Sequence, residues 1–418
     1  MSLKSVIIDQ ARKAREAALK LALLSSKDKN AALRAMASAL IKSRAGIIRE
    51  NTRDIKAAGR AGLPQAMIDR LLLNEARIGQ MAEGILDIAA LPDPVGQLLE
   101  VRTRPNGLKI EKVCVPLGVV AIIYESRPNV TSDCAALCLK SGNAAVLKGG
   151  KEAIYSNREI YKVLRSALTT TLVPVEALQF IGSVERSAVC ELLKLDQHVD
   201  LVVPRGGEGL IRFVAENSTI PVVKHYKGVC HIYVAGKADL SMASDICFNA
   251  KVQRPGVCNA MEKMLVDEKV AGSFLPGMIA RFQSAGVEIR GDEHVCRIIK
   301  GLKKAVAQDW QEEYLDLVLA VKVVRGVEEA IHHINTFGSR HSDAIVTRDR
   351  KQAEAFLKGV DSACVYVNAS TRFTDGNEFG LGAEVGISTD KLHVRGPMGL
   401  AGLTTYKYQV YGSGQIRI

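Results

Sequence analysis

The segment Gly118-Val119-Val120-Ala121-Ile122-Ile123-Tyr124 and, after an intervening stretch, Ala144-Ala145-Val146-Leu147-Lys148-Gly149-Gly150-Lys151-Glu152 together decide the fold class. Each opens on a short apolar run flanked by glycine, which reads as a strand buried on both faces. Between them Val130–Ser141 reads as a helix. Strand, helix and strand within roughly 30 residues make a βαβ unit. Downstream, helices at Glu152–Thr170, Ser187–Lys194 and Gly209–Asn217 alternate with strands at Leu178–Ile181 and Leu201–Val203. A second run of this kind extends from near His231 through Asp361. Its strands are expected at Ile232–Val234, Met264–Val266, Val287–Ile289, Ala344–Val346 and Cys364–Val367. The alternation predicts an α/β fold of two doubly wound parallel sheets.

Upstream, the first ~90 residues read as helical, because Leu3, Ile7, Ala11, Ala14, Ala18 and Leu21 recur at spacings of three and four. Ser26-Lys27-Asp28 is expected to cap a second helix running from about Asn30 to Lys42, and Leu91-Pro92-Asp93-Pro94 ends the helical region. Leu98–Pro105 and Leu108–Val115 flank Asn106-Gly107, the signature of a hairpin whose two turn residues take positive φ. With Thr404–Val410 the hairpin is expected to form a small separate sheet. The expected domains are 1–230, with hairpin 98–115 in an arm, then 231–368, then 369–418 returning to the first domain and the arm.

The 418 residues are 47% hydrophobic and 24% charged, which excludes disorder as the main state. The longest apolar run, Val113–Tyr124, is broken by Pro116 and Gly118 and falls short of the ~20 residues of a membrane span. Nine cysteines without paired spacing point to a reduced, cytoplasmic protein. The net charge of +11 is concentrated in residues 1–60, with 14 Lys+Arg against 5 Asp+Glu. A nucleic-acid-binding protein is the rival this charge suggests. With 5% aromatics and no zinc-finger, RRM or KH signature, the excess reads instead as a solvated helical surface, and neither nucleic acid nor membrane is an expected partner.

The chain has no HExxH, GxSxG, GxxxxGK[ST] or strict GxGxxG, and no metal site is expected. His332-His333, in a helical stretch, point apart and read as surface or core. Chemistry is carried by four other stretches. Val252-Gln253-Arg254-Pro255-Gly256-Val257-Cys258-Asn259-Ala260 sets a cysteine between a helix and a strand, where a thiolate serves acyl transfer and Arg254 offers a cation. Ala145–Glu152 ends a strand in Lys-Gly-Gly-Lys, and Arg205-Gly206-Gly207-Glu208-Gly209 opens a helix. Both are glycine turns of the kind that approach phosphate or sugar. The fourth, Asn377–Gly386, is a glycine-containing apolar loop. Taken singly, each is also compatible with a plain turn or a buried thiol.

In order, and with Pro116-Leu117-Gly118-Val119-Val120, Ser141–Lys148 and Ala363-Cys364-Val365-Tyr366-Val367-Asn368, these stretches resemble the aldehyde dehydrogenase superfamily over nearly the whole chain. Tyr124–Thr131, Val252–Ala260 and Val394–Leu400 resemble the branch that reduces an acyl phosphate. The resemblance implies an aldehyde dehydrogenase-like fold with an oligomerisation arm, a homo-oligomer (dimer or tetramer), and a nicotinamide cofactor. It makes Cys258 the catalytic nucleophile, Lys148 a contact to the adenosine ribose, Gly206 and Gly207 cofactor contacts, and Glu313 the holder of the nicotinamide ribose. Ser126 stands where the family's oxyanion asparagine is expected and is grouped with the cofactor residues. The Cys258 N–H with Asn129 would then hold the oxyanion.

Lys224-His225-Tyr226-Lys227-Gly228 stands where hydrolytic relatives have a water-activating glutamate, which fits phosphate release rather than hydrolysis. Lys151 replaces the glutamate of NAD-selective relatives, which implies NADPH. Arg127 and Arg254, with Lys224 and His225, are expected to meet the phosphoryl group. A separate kinase is expected to supply the labile acyl phosphate by transient contact. An acyl-CoA-dependent relative is the rival reading.

Overall fold

The computed structural model describes residues 2–417. Their helical beginning is α1 (Leu3–Leu21), α2 (Ser26–Lys42), α3 (Arg44–Arg60), α4 (Gln65–Leu71) and α5 (Glu75–Ala90). The apolar stripe of α1 is buried at Ile7, Ala11, Ala14, Ala18 and Leu21. α2 starts earlier than its expected cap: Ser25, not Ser26, closes a capping box with Asp28, because the reciprocal bonds require a spacing of three. The basic surface is also less purely solvated than expected. Lys29 is buried with its ammonium 2.6 Å from Asp93, and Arg15 holds both carboxylate oxygens of Asp200 at 2.8 Å.

β1 (Leu98–Thr103) and β2 (Lys109–Pro116) pair antiparallel. The turn between them is wider than the expected two residues. Gly107 N–H donates to the Arg104 carbonyl, and of Asn106 and Gly107 only the glycine has positive φ, +86°. That is the longer hairpin connection, in which one left-handed residue suffices.

The α/β alternation of the first unit follows: β3 (Val119–Tyr124), α6 (Asn129–Lys140), β4 (Ala144–Gly149), α7 (Ile154–Leu168), β5 (Leu178–Phe180), α8 (Arg186–Leu192), β6 (Leu201–Arg205) and α9 (Glu208–Asn217). The strands lie in the order β5-β4-β3-β6, all parallel. Every residue of β3 and β4 is buried, as an interior parallel strand requires.

The second unit carries β7 (Cys230–Val234), α10 (Leu240–Val252), β8 (Met261–Asp267), α11 (Glu268–Ser284), β9 (Glu288–Gly291), α12 (Glu293–Ile298), β10 (Lys303–Lys304), β11 (Val318–Val324), α13 (Val327–Phe337), β12 (Ser342–Val346), α14 (Arg350–Gly359) and β13 (Cys364–Val367). Its parallel sheet has the order β10-β9-β11-β8-β7-β12-β13. The five expected strands are present, and the pattern missed β10 and β11. Helices cover both faces, which shows in the strict alternation of neighbours. Ile232, Val234, Met264 and Val266 pack in one apolar cluster with Cys247, Phe274 and Phe282. Tyr233, Leu265 and Ile345 pack in another with Ala330, Ile334 and Phe356.

Two short strands, β14 (Gly386–Ser388) and β15 (Gly396–Met398), pair with each other, and β16 (Thr404–Tyr411) joins β2 antiparallel. The expected small sheet is therefore the three-stranded β1-β2-β16. The first compact unit comprises residues up to Lys224, 380–387 and 398 onward. The second comprises His225–Phe379 and Ser388–Pro397.

Candidate active site

In the first unit the candidate residues collect at the carboxyl ends of β3, β4 and β6, where loops leave a parallel sheet. Lys148 is the fifth residue of β4 and 5% exposed, with its ammonium 2.8 Å from the Gly149 carbonyl. Burial lowers its pKa, and Glu152 opposes that shift. Lys151 is exposed. Its neighbour Glu152 turns toward Ser126, accepting from the Ser126 N–H at 2.7 Å and hydroxyl at 2.9 Å. Ser126 has φ +45°, a conformation uncommon for a residue with a side chain and held here by those two bonds.

At the turn after β6, Gly206 and Gly207 open α9, but the Gly207 N–H donates to Glu125 at 3.0 Å. The amide expected to meet a pyrophosphate is thus engaged by a carboxylate of the chain. Asn129, the first residue of α6, donates its amide to Asp133 at 2.8 Å. The sequence reading missed Asp133, whose carboxyl is pushed up to about 6 by burial, against the pull of Asn129, Ser132 and Arg205. Arg127 is exposed on the same loop, and Lys224 ends this unit's first segment.

In the second unit the candidates gather at the opposite, amino edge of the sheet. β7, β8 and β12 are neighbours and parallel, so the residues that precede them lie side by side. Gly228 precedes β7, Cys258 precedes β8, and His341 precedes β12. Cys258 is half-buried, and its carbonyl accepts from the buried Cys230 thiol at 3.2 Å. A β-carbon on Gly228 would sit 1.9 Å from that carbonyl oxygen, so glycine there is what admits the cysteine loop. Glu313 accepts from the Gly228 N–H at 2.8 Å, so one of its carboxylate oxygens positions the strand beside Cys258.

Donor atoms of His225, Cys258 and His341 lie within 4.8 Å of one another. His341 is fully buried, and burial and then His225 pull its pKa down to about 3. Arg254 is exposed on the cysteine loop. Arg372 is a second guanidinium that the sequence reading missed. It donates to Gln253 at 3.0 Å. Burial and then Arg254 lower its pKa, while Cys258 raises it, which sets Arg372 in the electrostatic reach of the nucleophile. Asn259, also missed, anchors the loop by donating to the Thr374 carbonyl at 2.8 Å. Of the histidine pair, His333 is core, packed by Trp310, Phe337 and His231, and His332 is exposed.

Residues 4–296 and 298–387 match the sequence profile of the aldehyde dehydrogenase family. A protein of Nautilia profundicola named gamma-glutamyl phosphate reductase is 55% identical over 406 residues, covering 97% of this chain and 98% of that one. One of the same name from Geobacter metallireducens is 53% identical over the full length of both chains. The crystal structure of gamma-glutamyl phosphate reductase from Thermotoga maritima superposes with a TM-score of 0.97 at 45% identity, over 99% of this chain and 100% of that one.

Proposed function

The chain belongs to the aldehyde dehydrogenase family, and within it we propose that it reduces L-glutamyl 5-phosphate to L-glutamate 5-semialdehyde with NADPH and releases phosphate, the second step of proline biosynthesis from glutamate. The single observation that carries the reading is the cysteine loop. Cys258 stands half-buried between α10 and β8, its carbonyl seated on Gly228 and its neighbour Asn259 tied to Thr374. The names of the relatives support the choice of substrate.

In this reading the Cys258 thiolate attacks the acyl carbon. A carbon–sulfur bond forms, the carbon–oxygen bond to phosphorus breaks, and phosphate leaves with the bond's electron pair. The Cys258 N–H and the Asn129 amide hold the oxyanion. Asn129 is held ready by Asp133 at 2.8 Å. Arg127, Arg254 and Arg372 take the phosphoryl group, with Lys224 and His225 beside them.

For a nicotinamide cofactor the donor set at the ends of β3, β4 and β6 fits. Lys148 points a buried ammonium at a glycine turn, and nothing lies within 4 Å of the position a β-carbon of Gly207 would take. Lys148 would hold the adenosine ribose, with Ser126, Gly206 and Gly207 forming the adjoining surface. Lys151 would hold the 2′-phosphate, and Glu313 the nicotinamide ribose. When bound, the cofactor supplies the hydride that reduces the thioester. The resulting thiohemiacetal on Cys258 collapses, returning the thiolate and releasing the aldehyde.

We place the enzyme in the cytoplasm as a homo-oligomer, dimer or tetramer, joined through β1-β2-β16, where Leu98, Leu99, Tyr406, Tyr408 and Val410 are exposed. Transient contact with glutamate 5-kinase would spare the labile acyl phosphate. The reverse assay tests the reaction. Glutamate 5-semialdehyde with NADP⁺ should yield reduced cofactor only when phosphate or arsenate is present. Reduction that requires coenzyme A instead of phosphate would overturn the substrate assignment.

A further inference from the structure

Beside the nucleophile the second unit holds a donor set that neither motif nor spacing announced: an imidazole nitrogen of His225, one of His341, and the Cys258 sulfur, within 4.8 Å of one another. His341 is built like a ligand held by outer partners. Its Nδ1 is 2.9 Å from the Ser342 hydroxyl, which meets Thr374 at 2.6 Å, which in turn meets Tyr366 at 2.7 Å. In the tautomer that donates Nδ1–H to Ser342, Nε2 keeps its lone pair. That atom is fully buried and has no hydrogen-bond partner, an arrangement that normally calls for a ligand or water. Metal-bound histidines are fixed through the second ring nitrogen in this way.

We propose that His225, Cys258 and His341 bind a thiophilic divalent cation, Zn²⁺ first, and that its occupation reversibly shuts off the nucleophile. One thiolate with two imidazoles selects Zn²⁺ or its spectroscopic substitute Co²⁺ over Mg²⁺ and Ca²⁺, which prefer oxygen. Tetrahedral Zn²⁺ at about 2.3 Å from sulfur and about 2.0 Å from nitrogen sets its donors roughly 3.5 Å apart. Binding would draw the half-buried side chains of Cys258 and His225 toward the buried His341 to close the remaining gap. Binding releases the thiol proton to solvent and involves no redox change. Three protein donors leave a fourth position open. A sulfur committed to the metal cannot attack an acyl carbon.

The test is titration of the metal-free protein with Co²⁺ in thiol-free, anaerobic buffer. A thiolate-to-cobalt charge-transfer band should saturate at one ion per chain and disappear on adding Zn²⁺. Cys258→Ala should abolish it. His225→Ala, at a half-buried position, should weaken binding by about tenfold or more. The absorbance needs no turnover, so its outcome is independent of the proposed reaction. Absence of a band, a band that survives in Cys258→Ala, or unchanged affinity in His225→Ala overturns the site.

Discussion

Gly228 and the carbonyl of Cys258 are in backbone contact. A β-carbon on Gly228 would lie 1.9 Å from the Cys258 oxygen and 2.5 Å from its Cα. The obstacle is main chain, so no side-chain rotation relieves it. Gly228→Ala should therefore push the cysteine loop off its seat while the parallel sheet persists, because β7 and β8 pair beyond it. We expect kcat to fall by about a hundredfold, the cost of misplacing a reacting group by an ångström, with circular dichroism unchanged. Wild-type turnover in this variant would show that the contact does not position the nucleophile.

Cys258→Ser tests the covalent step. A hydroxyl at that position lacks the thiol's acidity and nucleophilicity, so reduction should fall by several orders of magnitude. Cofactor affinity, read by quenching of NADPH fluorescence, should be unchanged, since the residues proposed to hold it belong to other elements. A variant with near-normal turnover would exclude the thioester.

Lys151 stands exposed at the end of β4, and its acidic neighbour Glu152 is turned to Ser126. A cation without a competing carboxylate suits a 2′-phosphate. Lys151→Glu should raise the KM for NADPH by roughly tenfold, about 1.4 kcal/mol, and leave that for NADH nearly unchanged. Equal effects on both cofactors would dismiss Lys151 as the selector.

What the sequence made legible was local. Ala144–Leu147 with its glycines put Lys148 at the end of a strand, where the structure has it, because a buried parallel strand and its turn are written in adjacent residues. β11 was not legible: Val318–Val324 is an apolar run broken by Lys322, and only its place between β8 and β9 makes it a strand. His341 and Arg372 were invisible for a related reason. Neither carries a motif, and His341 reaches Cys258 only because the sheet order β8-β7-β12 sets the strand beginnings together. The contacts of Gly207 with Glu125 and of Ser126 with Glu152 also join residues distant in the chain. The glycine pattern was read correctly as a turn, while the occupant of its amide was not.

Asp133 makes stability depend on pH. Burial raises its folded carboxyl to about 6 from an ordinary 3.8. Below pH ~4 both folded and unfolded chains hold the proton. Between ~4 and ~6 only the folded chain does, so stability is lost as pH rises through this window and stays lost above it. Asp133→Asn keeps an oxygen for Asn129 and removes the titration. Its melting temperature should match wild type near pH 4 and exceed it by about 2 °C at pH 7.5. A gap between the two proteins that stays constant over this range would show that Asp133 is not the titrating group.

Lys251 and Glu262 form an ion pair at 3.2 Å with both side chains fully buried, and Glu262 also accepts from the Leu315 N–H at 3.2 Å. They sit on α10 and β8, the two elements that flank the cysteine loop. Burial lowers the lysine and raises the carboxyl, each opposed by its partner. The pair is therefore worth less than the penalty for breaking it, because either partner left behind is a buried charge that has lost its nearest counter-charge, Lys263 being the other cation near Glu262. Lys251→Met should cost about 3–5 kcal/mol in urea unfolding at pH 7. The double variant Lys251→Met with Glu262→Gln should recover part of that loss, since glutamine keeps the Leu315 bond without the charge, while the buried Lys263 loses an opposing carboxylate. If the double variant is as unstable as the single one, the cost lies in lost packing of the lysine stem, and the buried charge is not what the pair compensates.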